Sequence, residues 1–210
     1  MRKCDDFDIF DITYGVKDIF NKTLPDPELL DYYNRLARRE IFINTEIDDT
    51  CVDYAKTIME WNFEDINTPT EERMPIKIYL NSPGGGVSQA YSLIDAMLLS
   101  QTPVITIGMG MIYSAASMIF IAGHKRYCLP HATYMIHDGY TRQNNSTAKA
   151  LDDLEFTKKN EEETKRYYIE RTKISPELYD SKYRVDWYMT AKEMVELGIA
   201  DEIVTDFTKM

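Results

Sequence analysis

Residues 103–123 belong to the longest uncharged run of the chain, and this stretch changes character at its centre. Residues 104–107 are all β-branched, whereas residues 114–122 are rich in Ala, Met, Ile and Phe. β-branched side chains favour a strand, and the second set of residues is compatible with a helix. The pattern therefore predicts a buried strand, a glycine turn over residues 108–113, and then a buried helix.

A membrane span is the alternative interpretation of this run, because about 20 apolar residues are enough to cross a bilayer. Lys125 and Arg126 follow the run, as flanking positive charges would. However, Gly108 and Gly110 interrupt it, and its two halves differ in type. These features favour the strand-turn-helix interpretation.

A second unit of the same kind precedes the first. Residues 76–80 predict a strand, residues 81–86 a glycine loop, and the apolar spacing of residues 87–100 a helix. Further strands are predicted at residues 40–43, 127–129, 133–136 and 199–204, and further helices at residues 49–61, 148–173 and 191–197 and from Pro176 onward. Strands alternate with helices along the chain, so the predicted fold class is α/β.

The ends of the chain differ in organisation from its centre. Residues 1–30 are a mixed acidic and aromatic segment whose prolines disfavour a helix, so we predict either a flexible arm or a packing strap there. Residues 31–206 show no linker and predict a single domain. Within it, residues 67–73 read as an exposed loop and residues 148–173 as a largely solvated amphipathic helix.

The composition of the chain disfavours some classes of binding partner and indicates a cellular location. The chain has 24 Lys and Arg against 35 Asp and Glu, a net charge of −11, which disfavours binding to nucleic acid or to anionic membrane surfaces. Its three cysteines, Cys4, Cys51 and Cys128, are odd in number and lack metal-ligand spacing, so they read as free thiols. The acidic N-terminus does not resemble a signal peptide. We therefore expect a cytoplasmic location.

Ser114 is the first candidate for chemistry, since it lies at the predicted start of the buried helix. A serine in that position has the geometry of a nucleophile elbow, because the free N–H groups of the helix surround it. The G-x-S-x-G spelling is absent, and a core hydroxyl without a chemical role is the alternative. His137 is the best candidate base, because it ends an apolar strand, whereas His124 and His131 lie in polar turns.

Two more elements would complete an acyl-transfer site. Asp186 lies in an aromatic patch before a capped helix, where we expect a semi-buried carboxylate that needs a partner. A surface acid is the alternative. Residues 84–86 are three glycines whose N–H groups a substrate carbonyl can approach closely. A nucleotide-phosphate loop is disfavoured, because the lysine and hydroxyl of that motif are missing.

These candidate residues lie within sequence blocks that together carry a resemblance to a known family. The blocks that carry it are Leu80-Asn81-Ser82-Pro83-Gly84-Gly85, residues 106–123, Leu129-Pro130 before Met135-Ile136-His137, and Asp186-Trp187-Tyr188-Met189-Thr190-Ala191 with Gly198 and Asp201. Together, and in this order, they resemble the ClpP family, the proteolytic subunits of the Clp protease. The resemblance covers about residues 32–204.

The resemblance implies a role for five positions. Ser114 matches the nucleophile, His137 the general base and Asp186 the third member of the triad, while Gly85 and Ala115 match the donors of the oxyanion hole. Ser117 is the alternative nucleophile, because residues 115–118 spell the Ala-Ala-Ser-Met of the family. Placing the nucleophile at Ser114 keeps the distance from the glycine loop free of gaps.

The resemblance also implies a fold and an assembly. It implies a crotonase-like fold of repeated ββα units and stacked heptameric rings that admit only unfolded polypeptides. Residues 139–173 would form the handle that joins the rings. It implies no cofactor or metal in this chain, since ATP would be used by a partner unfoldase of the Clp type.

Several positions depart from the family pattern. Asp138-Gly139 replaces Gln-Pro, Val185 replaces an arginine that pairs between rings, Lys77 replaces an aromatic of the unfoldase pocket, and residues 1–30 do not match the usual axial loops. The leading hypothesis is nevertheless a self-compartmentalised serine endopeptidase, because all the elements of the site occur together in one ClpP-like frame. A phage-type maturation protease, a catalytically silent ring subunit and a crotonase-type acyl-CoA enzyme are the alternatives.

Overall fold

The computed structural model describes residues 26–140, 146–182 and 184–209. The chain divides into two compact units, one ending at Glu40 and the other beginning at Ile41. Residues 1–25, which make up most of the predicted N-terminal segment, lie outside the described residues. Residues 141–145, near the start of the predicted handle, also lie outside them.

The first unit contains helix α1, Pro27–Ala37. Our expectation that prolines disfavour a helix here is wrong for Pro27, because the N–H that a proline lacks would be unpaired in the first turn of a helix in any case. Asp26 caps this helix by accepting a hydrogen bond from the N–H of Glu28 at 3.0 Å. The predicted boundary between residues 30 and 31 therefore falls inside a helix.

The second unit alternates strands and helices. The strands are β1 Glu40–Ile43, β2 Ile76–Ser82, β3 Val104–Tyr113, β4 Lys125–Cys128, β5 Thr133–Ile136, β6 Trp187–Thr190 and β7 Glu202–Ile203. The helices are α2 Thr50–Glu64, α3 Val87–Leu99, α4 Ala115–Ala122, α5 Thr147–Arg171, α6 Pro176–Lys182 and α7 Ala191–Glu196, and short 3₁₀ turns occur at Thr70–Glu72 and Phe207–Lys209. The predicted α/β class is confirmed.

The strands form one mostly parallel sheet with the order β1-β2-β3-β4-β7. Strand β3 pairs in parallel with β2, with β4 and, further along, with β5. Strand β6 pairs with β5 and is antiparallel to it. Side chains from both faces of this sheet and from α3 and α4 form the buried core.

Strand β3 is longer than the sequence suggests. The predicted glycine turn over residues 108–113 is wrong, because these residues continue the strand to Tyr113. Between the pairs Leu80↔Gly108 and Ser82↔Ile112, β2 advances by two residues and β3 by four, so β3 carries a bulge there. The glycines serve this bulge, and Gly110 adopts a φ of 56°. Beyond it, β3 exchanges β4 for β5 as its partner.

Helix α4 is the buried second half of the uncharged run. All eight of its residues, Ala115–Ala122, are buried. The strand and helix predicted for this run are therefore present, although the strand is longer. In the described part of the chain, no helix combines the length and the apolar character that a membrane span requires.

Helix α5 is long and largely solvated, as its charge pattern predicts, and Tyr168 is its buried residue. The C-terminal end of α5 packs against α4. Tyr167 donates a hydrogen bond to the carbonyl of Met118 at 3.1 Å. Arg171 donates to three carbonyl groups at the end of α4, those of Ile121, Ala122 and Gly123, at 2.9–3.1 Å. Helix α4 is thus capped by a side chain from α5.

The predicted helix caps in the C-terminal part are confirmed. The hydroxyl of Ser175 accepts a hydrogen bond from the N–H of Leu178 at 3.2 Å, at the start of α6. Thr190 and Glu193 form a reciprocal capping box at the start of α7. Each satisfies N–H groups that the first turn of a helix leaves unpaired.

Cys51 and Cys128 are free, as predicted, and both are buried, while Cys4 lies outside the described residues. Burial raises the pKa of each of the two thiols to about 11. A thiol that stays protonated is neither a strong nucleophile nor a metal ligand. Across the described residues, we find no cluster of three or more His, Cys, Asp or Glu that could hold a metal ion.

Candidate active site

Ser114 forms the entire turn between β3 and α4. Its backbone has φ 54° and ψ −127°, a conformation that residues with a Cβ rarely adopt. Such strain costs about 1–3 kcal/mol and is characteristic of functional turns, including the nucleophile elbow. The turn is held from outside, because the N–H of Ser114 donates to the carbonyl of Met135 at 2.9 Å. The side chain remains half-buried and accessible.

The structure brings His137 to Ser114. The imidazole Nε2 lies 2.7 Å from the Ser114 hydroxyl oxygen. The sheet explains this contact, since β3 and β5 are parallel and Tyr113 pairs with Met135. Their C-terminal ends therefore lie side by side, and Ser114 and His137 project beyond the same edge.

The other imidazole nitrogen, Nδ1, accepts a hydrogen bond from the N–H of Gly139 at 3.3 Å. A neutral imidazole has one N–H, so an accepting Nδ1 places the proton on Nε2. In that tautomer, Nε2 donates to Ser114 and cannot remove its proton. A general base needs the opposite tautomer, with the proton on Nδ1 and a group that accepts it.

Asp186 is next to His137 in register but not in side-chain contact. The last pair of the β5–β6 ladder is Ile136↔Trp187, so His137 and Asp186 are the next opposed positions. Asp186 is exposed, and our expectation of a semi-buried carboxylate is therefore wrong. Among the described residues, the hydrogen-bond partners of the His137 ring are Ser114 and Gly139. Asp186 precedes the first residue of β6 and lies beyond the end of the β5–β6 ladder, so packing does not bury it.

Two backbone N–H groups flank Ser114. Gly84 and Gly86 are both hydrogen-bonded to Ile47, through Gly84 O at 2.9 Å and Gly86 N at 2.8 Å. This bridge leaves the N–H of Gly85, between them, without a partner in the described part of the chain. The N–H of Ala115 is also unpaired there, because it begins α4. Both residues line the cleft that contains Ser114 and His137.

The glycine loop has to pass very close to the serine turn. Gly84 and Gly85 have φ values of 97° and 154°, which favour glycine. A Cβ on Gly85 would lie 2.3 Å from the carbonyl oxygen of Ile47. The loop can therefore present its N–H groups to a substrate only because these positions lack side chains.

Ser117, the alternative nucleophile, is in a different environment. It is fully buried, and its hydroxyl donates to the Ser114 carbonyl at 2.6 Å. The imidazole of His137 contacts Ser114 instead. The other two histidines lie away from this contact. His131 is exposed, and Nδ1 of His124 accepts a hydrogen bond from the Val104 N–H at 3.0 Å.

A cleft of about 610 Å³ opens beside Ser114. It is lined by residues 85–89, 114, 115, 118, 137–140, 157, 160–162, 164, 165, 168, 179 and 180. The volume is within the range of ligand-binding clefts, and a peptide side chain fits inside it. A hydroxyl and an imidazole in contact, with unpaired N–H groups beside them, are suited to attack on a carbonyl carbon.

The sequence did not reveal the supports of this site. Ile47, which holds the glycine loop, and Tyr168, which lines the cleft, received no role from the sequence. Tyr168 carries a weak signal, as an aromatic residue in an otherwise charged helix. Ile47 carries none, because its contact with Gly84 depends on the tertiary fold.

Comparison with known proteins identifies the family of this chain. A family model described as Clp protease matches residues 26–207. The ATP-dependent Clp protease proteolytic subunit 1 of Shouchella clausii (strain KSM-K16) is 31% identical over 177 residues, which cover 83% of this chain and 89% of that protein. The ATP-dependent Clp protease proteolytic subunit of Chlorella vulgaris is 30% identical over 185 residues, which cover 87% and 90%.

A third relative, the ATP-dependent Clp protease proteolytic subunit 2 of Mycolicibacterium paratuberculosis (strain ATCC BAA-968 / K-10), is 32% identical over 177 residues and covers 83% of this chain. The mixed α/β fold with its mostly parallel sheet is consistent with that of ClpP. The chain belongs to the Clp protease family. The resemblance noted from the sequence is thereby confirmed.

Proposed function

We propose that this protein is a serine endopeptidase, the proteolytic component of a Clp-type ATP-dependent protease. The observation that carries the proposal is the 2.7 Å contact between His137 Nε2 and Ser114 Oγ at a strained turn. Membership of the Clp protease family and the names of its relatives support the same activity.

The mechanism assigns one role to each group. His137 removes the proton of Ser114 as the hydroxyl oxygen attacks the scissile carbonyl carbon. The N–H groups of Gly85 and Ala115 stabilise the negative oxygen of the tetrahedral intermediate. His137 then gives the proton to the leaving amine, and a water molecule hydrolyses the acyl-enzyme by the same steps.

Asp186 is proposed as the third member of the triad. Its opposed register with His137 places the two backbones side by side. A rotation of the two side chains would let the carboxylate take the place of the Gly139 N–H at Nδ1. It would then accept the Nδ1 proton and select the tautomer in which Nε2 is a base. Substrate binding or assembly would supply the ordering, since active-site contacts often tighten only in the complex.

The decisive test is Ser114→Ala, assayed on a fluorogenic peptide and on unfolded casein. We expect activity to fall to the uncatalysed background, since the nucleophile is removed. Ser181→Ala, an exposed serine on α6, is the matched control and should behave as wild type. Retained peptidase activity in Ser114→Ala would refute the proposal.

A fluorophosphonate probe separates the proposal from two alternatives. A catalytically silent ring subunit would not react, whereas an active serine peptidase labels at Ser114. Identification of the labelled residue by mass spectrometry also separates Ser114 from Ser117. A crotonase-type enzyme would instead bind acyl-CoA, which isothermal titration calorimetry would detect.

Assembly into rings is part of the proposal. Helix α5 exposes three apolar side chains along its first turns, with Leu151 and Phe156 each 64% exposed and Leu154 44% exposed. Exposed apolar residues on an otherwise charged helix are typical of a surface that another copy covers. We propose that residues 139–173 form the handle between two stacked heptameric rings.

Native mass spectrometry tests this assembly directly. A fourteen-subunit species is the expected result, and Leu151→Asp with Phe156→Asp should divide it into single rings. Lys159→Gln, which is on the same helix but beyond these apolar residues and pairs, among the described residues, only with Glu155 on α5, is the control. A monomer at micromolar concentration would contradict the assembly proposal without bearing on the chemistry at Ser114.

An ATP-driven Clp unfoldase is the proposed partner, and unfolded polypeptides are the proposed substrates. The partner is suggested by the names of the relatives, while Lys77 departs from the family pattern at the proposed docking site. ATP-dependent degradation of a tagged folded protein with an added unfoldase would support this role. Cleavage of folded precursors without an unfoldase would favour the phage-type maturation protease.

A further inference from the structure

Two buried hydroxyl groups form a hydrogen-bonded chain that ends on the carbonyl of Ser114. The Ser117 hydroxyl donates to this carbonyl oxygen at 2.6 Å, and the Ser117 N–H donates to it at 2.9 Å. The hydroxyl of Ser117 has one proton, so its hydrogen bond with Tyr168 must be donated by Tyr168. The order is therefore Tyr168, then Ser117, then the Ser114 carbonyl.

Both side chains are held firmly in this chain. Ser117 is 0% and Tyr168 2% exposed. Burial raises the pKa of Tyr168, so its hydroxyl keeps the proton that it donates. Tyr134 adds a further support, because its hydroxyl donates to the carbonyl of Ser117 at 2.8 Å. Three elements, β5, α4 and α5, thus meet behind the nucleophile turn.

The carbonyl of Ser114 shares a peptide group with the N–H of Ala115. A peptide group is planar and trans, so its C=O and N–H point in opposite directions. The carbonyl is fixed toward the buried Ser117 hydroxyl, and the N–H consequently points away from it. Hydrogen bonds accepted by a carbonyl also polarise the N–H of the same group and make it a better donor.

We infer that Ser117 and Tyr168 are positioning residues, which fix the orientation of the Ala115 N–H for the oxyanion. The inference rests on the proposed function, in which that N–H stabilises the tetrahedral intermediate. The strained combination of φ 54° and ψ −127° at Ser114 explains why positioning is needed, since a rotation of this peptide group would change ψ and bring the residue toward the allowed left-handed region. Neither side chain touches the reacting atoms.

Three variants test the hydrogen-bonded chain of hydroxyl groups: Ser117→Ala, Tyr168→Phe and the double variant. Tyr167→Phe is the matched control. Tyr167 is adjacent on α5 and also donates to a carbonyl of α4, that of Met118, which is outside the chain. Removal of an oxyanion donor costs about 100-fold to 1000-fold in kcat, so loosening one should cost less. We expect Ser117→Ala to lower kcat about 10-fold and Tyr168→Phe about threefold, with KM nearly unchanged.

The double variant shows whether the two residues act as one unit. Ser117→Ala with Tyr168→Phe should be no slower than Ser117→Ala alone, because Tyr168 acts only through Ser117. A peptide aldehyde, whose hemiacetal oxygen occupies the oxyanion hole, should lose affinity in parallel with kcat/KM. All rates are expressed per site titrated with a fluorophosphonate, which removes any contribution from misfolded protein.

The outcomes separate this inference from the proposed function. If Ser114→Ala keeps wild-type activity, the proposed function itself fails. If Ser114→Ala is inactive but Ser117→Ala and Tyr168→Phe turn over like Tyr167→Phe, only the positioning role is wrong. A rise in KM with unchanged kcat would also overturn it, because that would indicate a role in the binding cleft. Should Ser117→Ala not fold, Tyr168→Phe alone still decides the question.

Discussion

A Cβ placed on Gly84 would lie 2.6 Å from the Cβ of Ser114. It would also lie 2.6 Å from the carbonyl oxygen of Tyr113, which is backbone and cannot move aside. The glycine loop and the nucleophile turn are therefore in direct contact, although 30 residues separate them in the chain. Their contact sets the width of the site in which a substrate carbonyl would lie.

Gly84→Ala should accordingly damage both stability and activity. The φ of 97° costs a residue with a Cβ about 1–3 kcal/mol, and the clash forces the loop away from Ser114. A displacement of about 1 Å at a catalytic site lowers the rate about 100-fold. Urea unfolding and peptide hydrolysis measure the two effects.

Gly139→Ala is the control for stability in this comparison. Gly139 also has a positive φ, 74°, but a Cβ there would meet no atom within 4 Å. Gly139→Ala should lower the free energy of unfolding only by the conformational strain, about 1 kcal/mol. Equal destabilisation by the two variants would show that the contact with Ser114 is unimportant.

Asp186→Asn tests the proposed third member of the triad. An amide does not stabilise a proton on Nδ1 as a carboxylate does, so His137 would keep the Nδ1 contact with the Gly139 N–H and the unproductive tautomer that this contact favours. We expect kcat to fall about 1000-fold or more while KM changes little. The measurement is steady-state hydrolysis of a fluorogenic peptide across pH 5–9.

Asp138→Asn is the comparison that makes this test specific. Asp138 adjoins His137 in the chain and lines the same cleft. If the loss of activity followed Asp138 and not Asp186, the orienting carboxylate would have to be reassigned. A loss with neither variant would indicate a dyad of Ser114 and His137.

Arg171→Met should destabilise the protein without touching the cleft. It removes charged donors from three carbonyl groups at the end of α4, and their loss should cost about 2–3 kcal/mol. Arg166→Met, on the same helix, removes only an exposed pair with Glu163 and should cost less than about 1 kcal/mol. Unfolding in urea compares the two, and similar values would disprove the capping role.

Stability should depend on the protonation of His124. Although His124 as a whole is exposed, partial desolvation of its imidazole lowers its pKa, and the charge of Arg171 lowers it further. The unfolded chain therefore binds the proton more readily than the folded chain, so stability falls as the pH decreases below about 6.5. Protonation would also end the hydrogen bond that Nδ1 accepts from Val104.

His124→Gln isolates this contribution from those of the other histidines. Its unfolding free energy should change less than that of wild type between pH 7.5 and pH 5.5. The control is His131→Gln, which leaves His124 and its hydrogen bond with the Val104 N–H in place, so the contribution of His124 should persist. A steeper decline in His124→Gln than in wild type would contradict the sign of the effect.

Local patterns predicted most of the fold, because each depends on neighbouring residues. The β5 strand, the capping box at Thr190 and the Ser175 cap depend on short-range spacing, and all three are present. The errors arose where one residue type serves two purposes. Gly108 and Gly110 indicated a turn but serve a bulge, and Pro27 indicated a break but begins a helix.

The site was only partly accessible from the sequence. Ser114 and Ser117 are the same residue type and differ only in their tertiary contacts. Their spacing in the sequence therefore could not show that His137 contacts the first hydroxyl and that the second is buried. Asp186 could be placed near His137 only through a family resemblance, because its position depends on the pairing of two strands. Its exposure follows from the end of that ladder, which no local pattern marks.

The bulge in β3 adds two residues to the strand, and an even number preserves the faces to which the later side chains point. Side chains of a strand alternate between faces, so an insertion or deletion of one residue there would invert every later side chain. Ile112 would move from the core to solvent, and the side chain of Ser114 would point to the opposite face of the sheet. Length variation in this part of the strand is therefore compatible with the site only in steps of two.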